Sequence, residues 1–190
     1  MAVLDVLTFV TLGGWLLLEI SLLVRDGRHG KGNADADRGT RLLNALLVVE
    51  TVVVCTILSA TLHVLVVPGA IWFRSVGLII VWLGLALRIW AITTLGAAFR
   101  TTVEVDQSQL VVTKGPYRWV RHPSYTGLLV IALGFGIASG SWLFLMLCAV
   151  LPSIALQRRI EVEEAELVRV LGDPYSDYSA RTKRLVPGIW

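Results

Sequence analysis

The chain has 190 residues, of which 55% are hydrophobic and only 16% are charged, with a formal net charge of +3. Ordinary soluble domains contain about 25% charged residues. The composition therefore excludes a typical soluble domain and predicts a membrane protein, with no nucleic-acid partner expected. Cys55 and Cys148 lie in apolar runs without a Cys or His at metal-ligand spacing. Neither a disulfide framework nor a metal site is predicted.

Three apolar stretches are long enough to cross a bilayer as helices, which takes about 20 residues. In chain order they are Val3 to Val24, Leu42 to Val67 and Ser75 to Leu95. The first stretch has no basic amino-terminal region and no small-residue cleavage site. We therefore interpret it as a retained span and not as a signal peptide.

A further apolar stretch, from Pro123 to Leu156, is too long for one helix across a hydrocarbon core of about 30 Å. The sequence IASGSW divides it into two spans, at 123–139 and 142–156. Pro123 would lie in the first turn of span four, where a missing N–H costs nothing. Pro152 should kink or end span five. Spans four and five are expected to form a helical hairpin.

The basic residues decide between four spans and five. With five spans, the loop after span one, the loop after span three and the tail share one face, and they hold five, four and six of the 17 basic residues. Arg74 would be alone on the other face. Because basic loops stay in the cytosol, we predict an all-α polytopic membrane protein with five spans, its amino terminus outside and its tail cytosolic. Residues 1–190 would form one domain, with a flexible loop at Asp26 to Gly39.

The tail is predicted to begin as an amphipathic helix that continues from span five. Its apolar stripe is followed by Gly172 as a cap and Pro174 as a stop. The stripe consists of Ile160, Leu167, Val168 and Leu171. The other face carries Glu161, Glu163, Glu164 and Glu166. A run of acids on a helix is ordinarily a solvated face, and this interpretation stands beside a functional one.

Two sets of charges should meet at the cytosolic face. The segment GPYRWVRHPSYTG, residues 115–127, supplies Arg121 and His122 before span four, and the helix after span five supplies Glu163 and Glu164. A hairpin of spans four and five would bring the two sets together. Convergence of cations, carboxylates and aromatic rings is typical of a pocket for a polar ligand that carries both charge signs.

Three segments follow one another in the second half of the chain: LVVTKGPYRWVRHPSYTG, RIEVEEAEL and LGDPYSDYSARTKRLVPGIW. In this order they resemble the isoprenylcysteine carboxyl methyltransferase family, with its RHP-x-Y element, downstream glutamate pair and tyrosine-rich tail. LRIWAITTLGAAF also resembles the family's segment before this signature. The resemblance therefore covers about residues 85–190, and a short member of this kind is expected in a prokaryotic cytoplasmic membrane.

The resemblance implies that S-adenosylmethionine binds at the cytosolic face, in elements 100–127 and 157–190. A lipophilic acceptor would enter from the bilayer through the spans above the site, among membrane lipids. The residues expected to bind the cofactor are Gly115, Tyr117, Arg121, His122, Pro123, Tyr125, Glu163, Glu164, Tyr175 and Tyr178. The residues expected to take part in the transfer are Arg88, Glu163 and Glu164, without a metal.

The pairings within this set follow from charge. Arg121 and His122 can meet the carboxylate of the cofactor, and Glu163 and Glu164 can accept from its ribose or amine. Tyrosine rings can pack on the adenine or the sulfonium. The tail tyrosines could instead anchor the tail at the membrane interface.

The acceptor implied by the resemblance is the carboxylate of a prenylcysteine or a similar lipid acid. A carboxylate, with a reference pKa of about 4, is already ionised at neutral pH and needs no general base. A phenolic lipid, with a reference pKa of about 10, would need a carboxylate or His122 to accept its proton.

Two other classes of protein share this layout. One is a membrane reductase of the steroid reductase kind, whose NADPH would need more cationic partners than we find near the glutamates. The other is a non-enzymatic membrane anchor, which would not explain the interleaved His, Pro, Tyr and Glu.

Charged residues near or within the spans admit two interpretations each. Arg88 could hold the carboxylate of the acceptor or cofactor, or it could pair with an acidic side chain such as Glu50. Glu19 has no partner that the sequence identifies, and a structural hydrogen bond to a neighbouring helix is expected. Arg159 could pair with Glu163 or extend to the lipid headgroups.

Overall fold

The computed structural model describes residues 2–28, 45–62, 65, 70–99 and 110–188, and this part of the chain is helical. The helices are α1 (Ala2–Arg28), α2 (Thr51–Thr61), α3 (Ala70–Leu95), α4 (Pro123–Ala138), α5 (Trp142–Leu171) and α6 (Asp173–Arg181). A π-helical segment, Ala45–Glu50, leads into α2, and 3-10 turns cover Gly96–Ala98 and Gly115–Arg118. The described residues form no sheet, and their one β-bridge joins Val120 to Lys183. The predicted all-α fold is confirmed for these residues, whereas the predicted flexible loop lies mostly outside them.

Three helices are long and apolar enough to cross a membrane. They are Val3–Arg25, Ile71–Leu95 and Trp142–Leu171. Leu47–Thr61 and Pro123–Ala138 are apolar but shorter. Large apolar side chains on the outer surface, such as Trp72 at 75% exposure, would face lipid. The protein is integral to the membrane, and the number of five spans stays a prediction.

The predicted hairpin of the last two apolar helices is present as α4 and α5. Pro123 begins α4, as predicted, and three residues, 139–141, separate the two helices. Pro152 does not end α5, which runs on for 30 residues to Leu171. A helix of that length measures about 45 Å, which exceeds a hydrocarbon core of about 30 Å. Its charged second half therefore extends beyond the apolar part of the bundle.

Helices α3 and α4 pack closely through four glycines, and theirs is the most extensive interface in the described chain. A Cβ atom on Gly84 would lie 2.8 Å from the backbone nitrogen of Ile131, and one on Gly134 would lie 2.7 Å from that of Val81. Gly127 faces Gly84, and Gly77 faces Gly134. Small residues at a membrane helix interface let backbones approach and gain van der Waals contact. No larger side chain fits at these positions without moving a backbone.

Two ion pairs hold α1 against α3, with the helices running in the same direction. Asp5 pairs with Arg74, and Glu19 pairs with Arg88, and each pair joins residues 69 positions apart. The constant offset requires a parallel arrangement in one register over roughly 20 Å. At the end of both helices, Arg25 donates to the carbonyl of Phe99 at 3.0 Å.

The apolar core lies where four helices meet around α4. It includes Trp15 of α1, Val52 of α2, Val81 of α3 and Ile131 of α4, which are all almost fully buried. The Trp15 and Phe135 rings lie 6.1 Å apart. The first helix is thus packed into the core of the bundle.

The end of α5 agrees with the prediction, but the residues after it form a helix that was not predicted. Gly172 adopts φ +60°, a conformation that favours glycine, and its N–H bonds the carbonyl of Val168 at 3.0 Å. Pro174 then lies in the first turn of α6 instead of only stopping a helix. This turn directs α6 back toward the segment before α4.

Candidate functional site

The segment before α4 is held in place by the tail of the chain. The N–H groups of Arg121 and His122 donate to the carbonyls of Lys183 and Arg184, at 2.7 and 3.0 Å. Thr126 donates its hydroxyl to the carbonyl of Leu185 at 2.8 Å. The residues after α6 therefore form an extended clamp along the start of α4.

The turn at Gly115 seats this segment against α3. Gly115 adopts φ +56°, and a Cβ atom there would lie 2.9 Å from the Thr94 hydroxyl. The 3-10 turn that follows buries Tyr117. Gly115 therefore serves the shape of the loop, since glycine alone tolerates both the conformation and the contact.

Tyr178 of α6 joins the tail to the same turn. Its hydroxyl donates to the carbonyl of Tyr117 at 2.6 Å. Burial raises the pKa of Tyr178 to about 12, although Thr182 and Arg121 oppose the rise. The phenol is neutral at physiological pH and is committed to the backbone. Tyr178 thus fastens α6 to the turn before α4, with its hydroxyl already hydrogen-bonded.

Glu164 is the centre of an ion cluster that joins three separate segments. Its Oε1 accepts from Arg121 Nε at 2.7 Å and lies 3.1 Å from His122 Nε2, and its Oε2 accepts from Arg184 Nε at 2.9 Å. Arg121 also donates from Nη1 to the carbonyls of Ser179 and Thr182. We call Glu164, Arg121, His122 and Arg184 the Glu164 cluster. It ties α5 to the start of α4 and to the tail.

Glu163, the neighbouring carboxylate, has fewer partners and more exposure. Tyr125 donates its hydroxyl to Glu163 Oε2 at 2.7 Å, and the Tyr125 oxygen accepts from Arg159 Nε at 3.2 Å. Glu163 Oε1 lies 3.8 Å from His122 Nδ1, which is beyond hydrogen-bond distance. The Glu163 side chain is 28% exposed, compared with 13% for Glu164. The Glu163 carboxylate therefore retains acceptor capacity for a ligand.

Tyr175 has a buried hydroxyl without a hydrogen-bond partner among the described residues. The residue is 4% exposed. Burial raises the pKa of its phenol well above the usual value, and the negative charges of Glu164 and Glu163 raise it further. A buried polar group without a partner is costly. The neutral hydroxyl thus keeps an unused capacity to donate and accept hydrogen bonds, within electrostatic reach of both glutamates.

Arg88 lies directly beneath this group of side chains, and its acidic partner is Glu19 and not Glu50. Its Nε and Nη2 donate to the two Glu19 oxygens at 2.7 and 2.6 Å, and its Nη1 donates to Ser124 Oγ at 2.8 Å. The suggestion of Glu50 was wrong because it assumed a partner on the wrong helix. Glu19, which was expected to make only a structural hydrogen bond, forms a two-bond ion pair.

Tyr117 is within electrostatic reach of both Arg88 and Glu163. Burial raises the pKa of the Tyr117 phenol above its usual value, the charge of Glu163 raises it further, and the charge of Arg88 lowers it. Arg88 and Glu163 therefore both act on the electrostatic environment of this buried ring.

Arg159 does not extend to the lipid headgroups, because the residue is only 2% exposed. Its Nε donates to the Tyr125 hydroxyl, which in turn donates to Glu163. A buried guanidinium at this position supports the Tyr125 ring, which stacks on His122 with centroids 5.6 Å apart. Extension to the headgroups is therefore wrong, and the structure links Arg159 to Glu163 through the Tyr125 hydroxyl.

The structure brings together most of the residues predicted for the site, and it adds residues that were not predicted. Arg121, His122, Tyr125, Glu163 and Glu164 are linked by the contacts above, with Tyr117, Tyr175 and Tyr178 around them. Pro123 is buried in the first turn of α4. The unpredicted members are Glu19, Ser124 and Arg184. Arg184 lies in a basic tail, but nothing in its spacing indicates Glu164.

Comparisons with known proteins match this part of the chain. Residues 76–169 match the model of the isoprenylcysteine carboxyl methyltransferase (ICMT) family. Protein-S-isoprenylcysteine O-methyltransferase of Tribolium castaneum is 32% identical over 120 residues, which are 62% of this chain and 43% of the relative. The Xenopus laevis protein of the same name is 36% identical over 124 residues, which are 62% of this chain and 42% of the relative. This chain thus spans less than half of the length of either animal relative.

A solved structure shares the fold. The structure of the eukaryotic intramembrane Ras methyltransferase ICMT superposes with a TM-score of 0.58 and 32% sequence identity. The alignment covers 62% of this chain and 43% of that one. The family model spans the helices that carry Arg88, the RHP segment and the glutamate pair, and the chain belongs to the isoprenylcysteine carboxyl methyltransferase family.

Proposed function

We propose that this protein transfers a methyl group from S-adenosylmethionine to a lipophilic acceptor dissolved in the membrane. The observation that carries the proposal is the pairing of a half-satisfied carboxylate, Glu163, with a buried hydroxyl that lacks a partner, Tyr175, at the end of an apolar helix bundle. A polar ligand would satisfy both groups at once. The family relationship supports the choice of this ligand.

The residues present fit S-adenosylmethionine. Glu163 can accept hydrogen bonds from the ribose or the amine, and the Tyr175 hydroxyl can donate or accept beside it. The buried rings of Tyr117 and Tyr175 offer apolar and π surfaces for the adenine or the sulfonium. When bound, this cofactor supplies a methyl group that is already activated for transfer. Glu163, Tyr175, Tyr117 and His122 are therefore proposed to contact it.

The remaining predicted residues are proposed to hold that set in position. Glu164 and Arg121 are engaged with each other, with His122 and with the tail. Gly115 and Pro123 shape the loop and the start of α4. Tyr125 and Arg159 orient the Glu163 carboxylate. A preorganised set of this kind aligns the reactants and excludes water, which is the main contribution that a protein makes to an in-line displacement.

The acceptor is proposed to be the carboxylate of a prenylcysteine or a similar lipid acid. The relatives named above are isoprenylcysteine O-methyltransferases. A carboxylate is ionised at neutral pH, with a reference pKa near about 4, so no general base is required. This agrees with a site whose described carboxylates are engaged with cations or phenols instead of standing free. Phenolic lipids are the acceptors to test next.

The single domain, residues 1–190, is proposed to cross the membrane five times. The amino terminus would lie outside, and the site would lie at the cytosolic face of a cytoplasmic membrane. The parallel α1 and α3 support this arrangement, because two parallel helices need a span between them that returns. The shorter α2 and α4 are the corresponding return spans. The basic residues Arg121, Arg159 and Arg184 then share one face, as basic loops do in the cytosol.

Calorimetric binding to the purified protein in detergent tests the function. S-adenosylmethionine and S-adenosylhomocysteine are expected to bind at micromolar concentrations, and NADPH is expected not to bind. Glu163→Gln should weaken the binding of both S-adenosyl compounds, whereas Glu161→Gln, on the same helix and hydrogen-bonded to the exposed Gln157, should not. Binding of NADPH alone would indicate a reductase, and binding of none of the three would overturn the proposal.

A further inference from the structure

The Glu19–Arg88 pair connects the first helix of the chain to the site. Glu19 lies in α1, outside residues 76–169 that match the family model. Arg88 lies in α3, and its residue exposure is 4%. A buried ion pair is costly to form and is weak evidence for stability by itself. Its position therefore calls for an explanation.

Glu19 holds the Arg88 guanidinium in one plane. The two oxygens of the carboxylate accept from Nε at 2.7 Å and from Nη2 at 2.6 Å, which is the two-bond geometry that fixes an arginine most firmly. Glu19 is itself fixed, because Trp15 Nε1 donates to its Oε1 at 2.9 Å. The Trp15 ring is buried in the core. The pair is thus rigid on the α1 side.

Arg88 also holds the first turn of α4 through hydrogen bonds. Its Nη1 donates to the Ser124 hydroxyl at 2.8 Å and to the Ser124 carbonyl at 3.3 Å. A Cβ atom added at Gly127, one turn further, would lie 2.9 Å from Arg88 Cβ. The neighbours of Ser124 in this turn, His122 and Tyr125, carry the contacts to the two glutamates. Arg88 therefore supports this turn from the membrane side, from which a lipophilic acceptor arrives.

We propose that Glu19 is a positioning residue for methyl transfer. It acts through Arg88 and Ser124. By fixing the first turn of α4, it aligns the acceptor with the cofactor. The proposal rests on the proposed function and extends the catalytic unit to α1. The position of Arg88 on α3 lets its guanidinium contact both Glu19 and Ser124.

A purely structural role would make a different prediction for an exchanged pair. In the double variant Glu19→Arg/Arg88→Glu, the ion pair can form again between α1 and α3, but the guanidinium now belongs to α1. A structural pair would then regain both stability and turnover. A positioning pair would regain stability alone, because the contact from α3 to Ser124 is lost.

The experiment compares Glu19→Gln, the exchanged double variant and Asp5→Asn with the wild type in detergent. Asp5 is the matched control, because it pairs with Arg74 across the same two helices at the same offset, far from the site. The readouts are the thermal midpoint, the calorimetric Kd for S-adenosylhomocysteine, and kcat and KM for N-acetyl-S-farnesylcysteine. Glu19→Gln should lower kcat at least about 10-fold while the Kd changes less than about 3-fold. Asp5→Asn should change neither kcat nor the Kd.

The outcomes separate the two proposals. The positioning role is overturned if kcat of Glu19→Gln equals that of the wild type, if the Kd rises by the same factor by which kcat falls, or if the exchanged pair regains wild-type turnover. If the exchanged variant does not fold, Glu19→Gln decides alone. A wild type that binds no S-adenosylhomocysteine overturns the proposed function itself, and the positioning role with it.

Discussion

The Glu164 cluster and the Glu19–Arg88 pair are both built from partly buried charges, but they connect different parts of the chain. Glu164 joins segments that are far apart in sequence and near the end of the bundle, through the side chains of two arginines and a histidine. Glu19 and Arg88 join two regular helices within the bundle, through one ion pair that the helix register determines. The Glu164 cluster assembles the site from the loop before α4 and the tail. The Glu19–Arg88 pair aligns α1 with α3 next to the site.

The adjacent carboxylates Glu163 and Glu164 have separate tasks in this molecule. Glu164 is occupied by cations on both oxygens, whereas Glu163 keeps one oxygen beyond hydrogen-bond distance of His122. Loss of the Glu164 charge should therefore lower the stability of the fold. Loss of the Glu163 charge should weaken ligand binding.

The largest expected effect is that of Glu164→Gln. It would leave Arg121, His122 and Arg184 close together without their shared carboxylate, and breaking a buried pair costs about 3–5 kcal/mol. We expect the free energy of unfolding to fall by about 3 kcal/mol and the tail after α6 to become sensitive to protease. Thermal unfolding and limited proteolysis in detergent measure these changes. Glu166→Gln, which breaks a pair with the exposed Arg169, is the control and should cost less than about 1 kcal/mol.

A second variant tests whether charge or close packing sets the position of Arg88. Gly84→Ala places a Cβ atom 2.8 Å from the backbone nitrogen of Ile131, so α3 and α4 must separate. We expect a loss of about 2 kcal/mol in thermal unfolding. Gly14→Ala, where an added Cβ meets nothing within 4 Å, should leave stability unchanged or slightly raised. Equal stability of the two variants would contradict the role assigned to the glycine interface.

Glu163→Gln should change binding more than stability, in contrast to Glu164→Gln. The amide still accepts from Tyr125, but it loses the charge proposed to meet the cofactor. A charge-assisted hydrogen bond contributes about 1.5–3 kcal/mol, so the Kd for S-adenosylhomocysteine should rise at least about 10-fold. Calorimetry and a thermal scan of the same sample separate the two effects. A large fall in the thermal midpoint with an unchanged Kd would reverse the assignment of the two glutamates.

The smallest expected effect is that of Tyr175→Phe, which should stabilise the ligand-free protein and weaken cofactor binding. Removing a buried hydroxyl without a partner should raise the stability of the ligand-free protein by up to about 1 kcal/mol. The same change should weaken cofactor binding by about 3- to 10-fold, because the hydroxyl is proposed to contact the ligand. Addition of S-adenosylhomocysteine should therefore raise the thermal midpoint less in Tyr175→Phe than in the wild type, although the ligand-free midpoint of the variant is higher. A fall in the ligand-free midpoint would indicate a structural role.

The sequence by itself determined the class of the protein and the two halves of the site. Apolar runs, the proline and glycine positions and the basic loops indicated a helical membrane protein with a hairpin at its end. The meeting of Arg121 and His122 with Glu163 and Glu164 followed from that hairpin, because helices joined by a short turn bring their free ends to one side.

Only the tertiary structure decided the partners of the remaining charges. Glu19 and Arg88 are 69 residues apart, and their contact depends on the sliding register of α1 against α3, which no local pattern encodes. Arg184 reaches Glu164 because Gly172 and Pro174 turn α6 back over the loop, and this helix was not predicted. Local propensity and hydrophobicity act within a helix and can be read from the chain. The choice of partner for a buried charge is made between helices, where packing, and not sequence spacing, places the groups together.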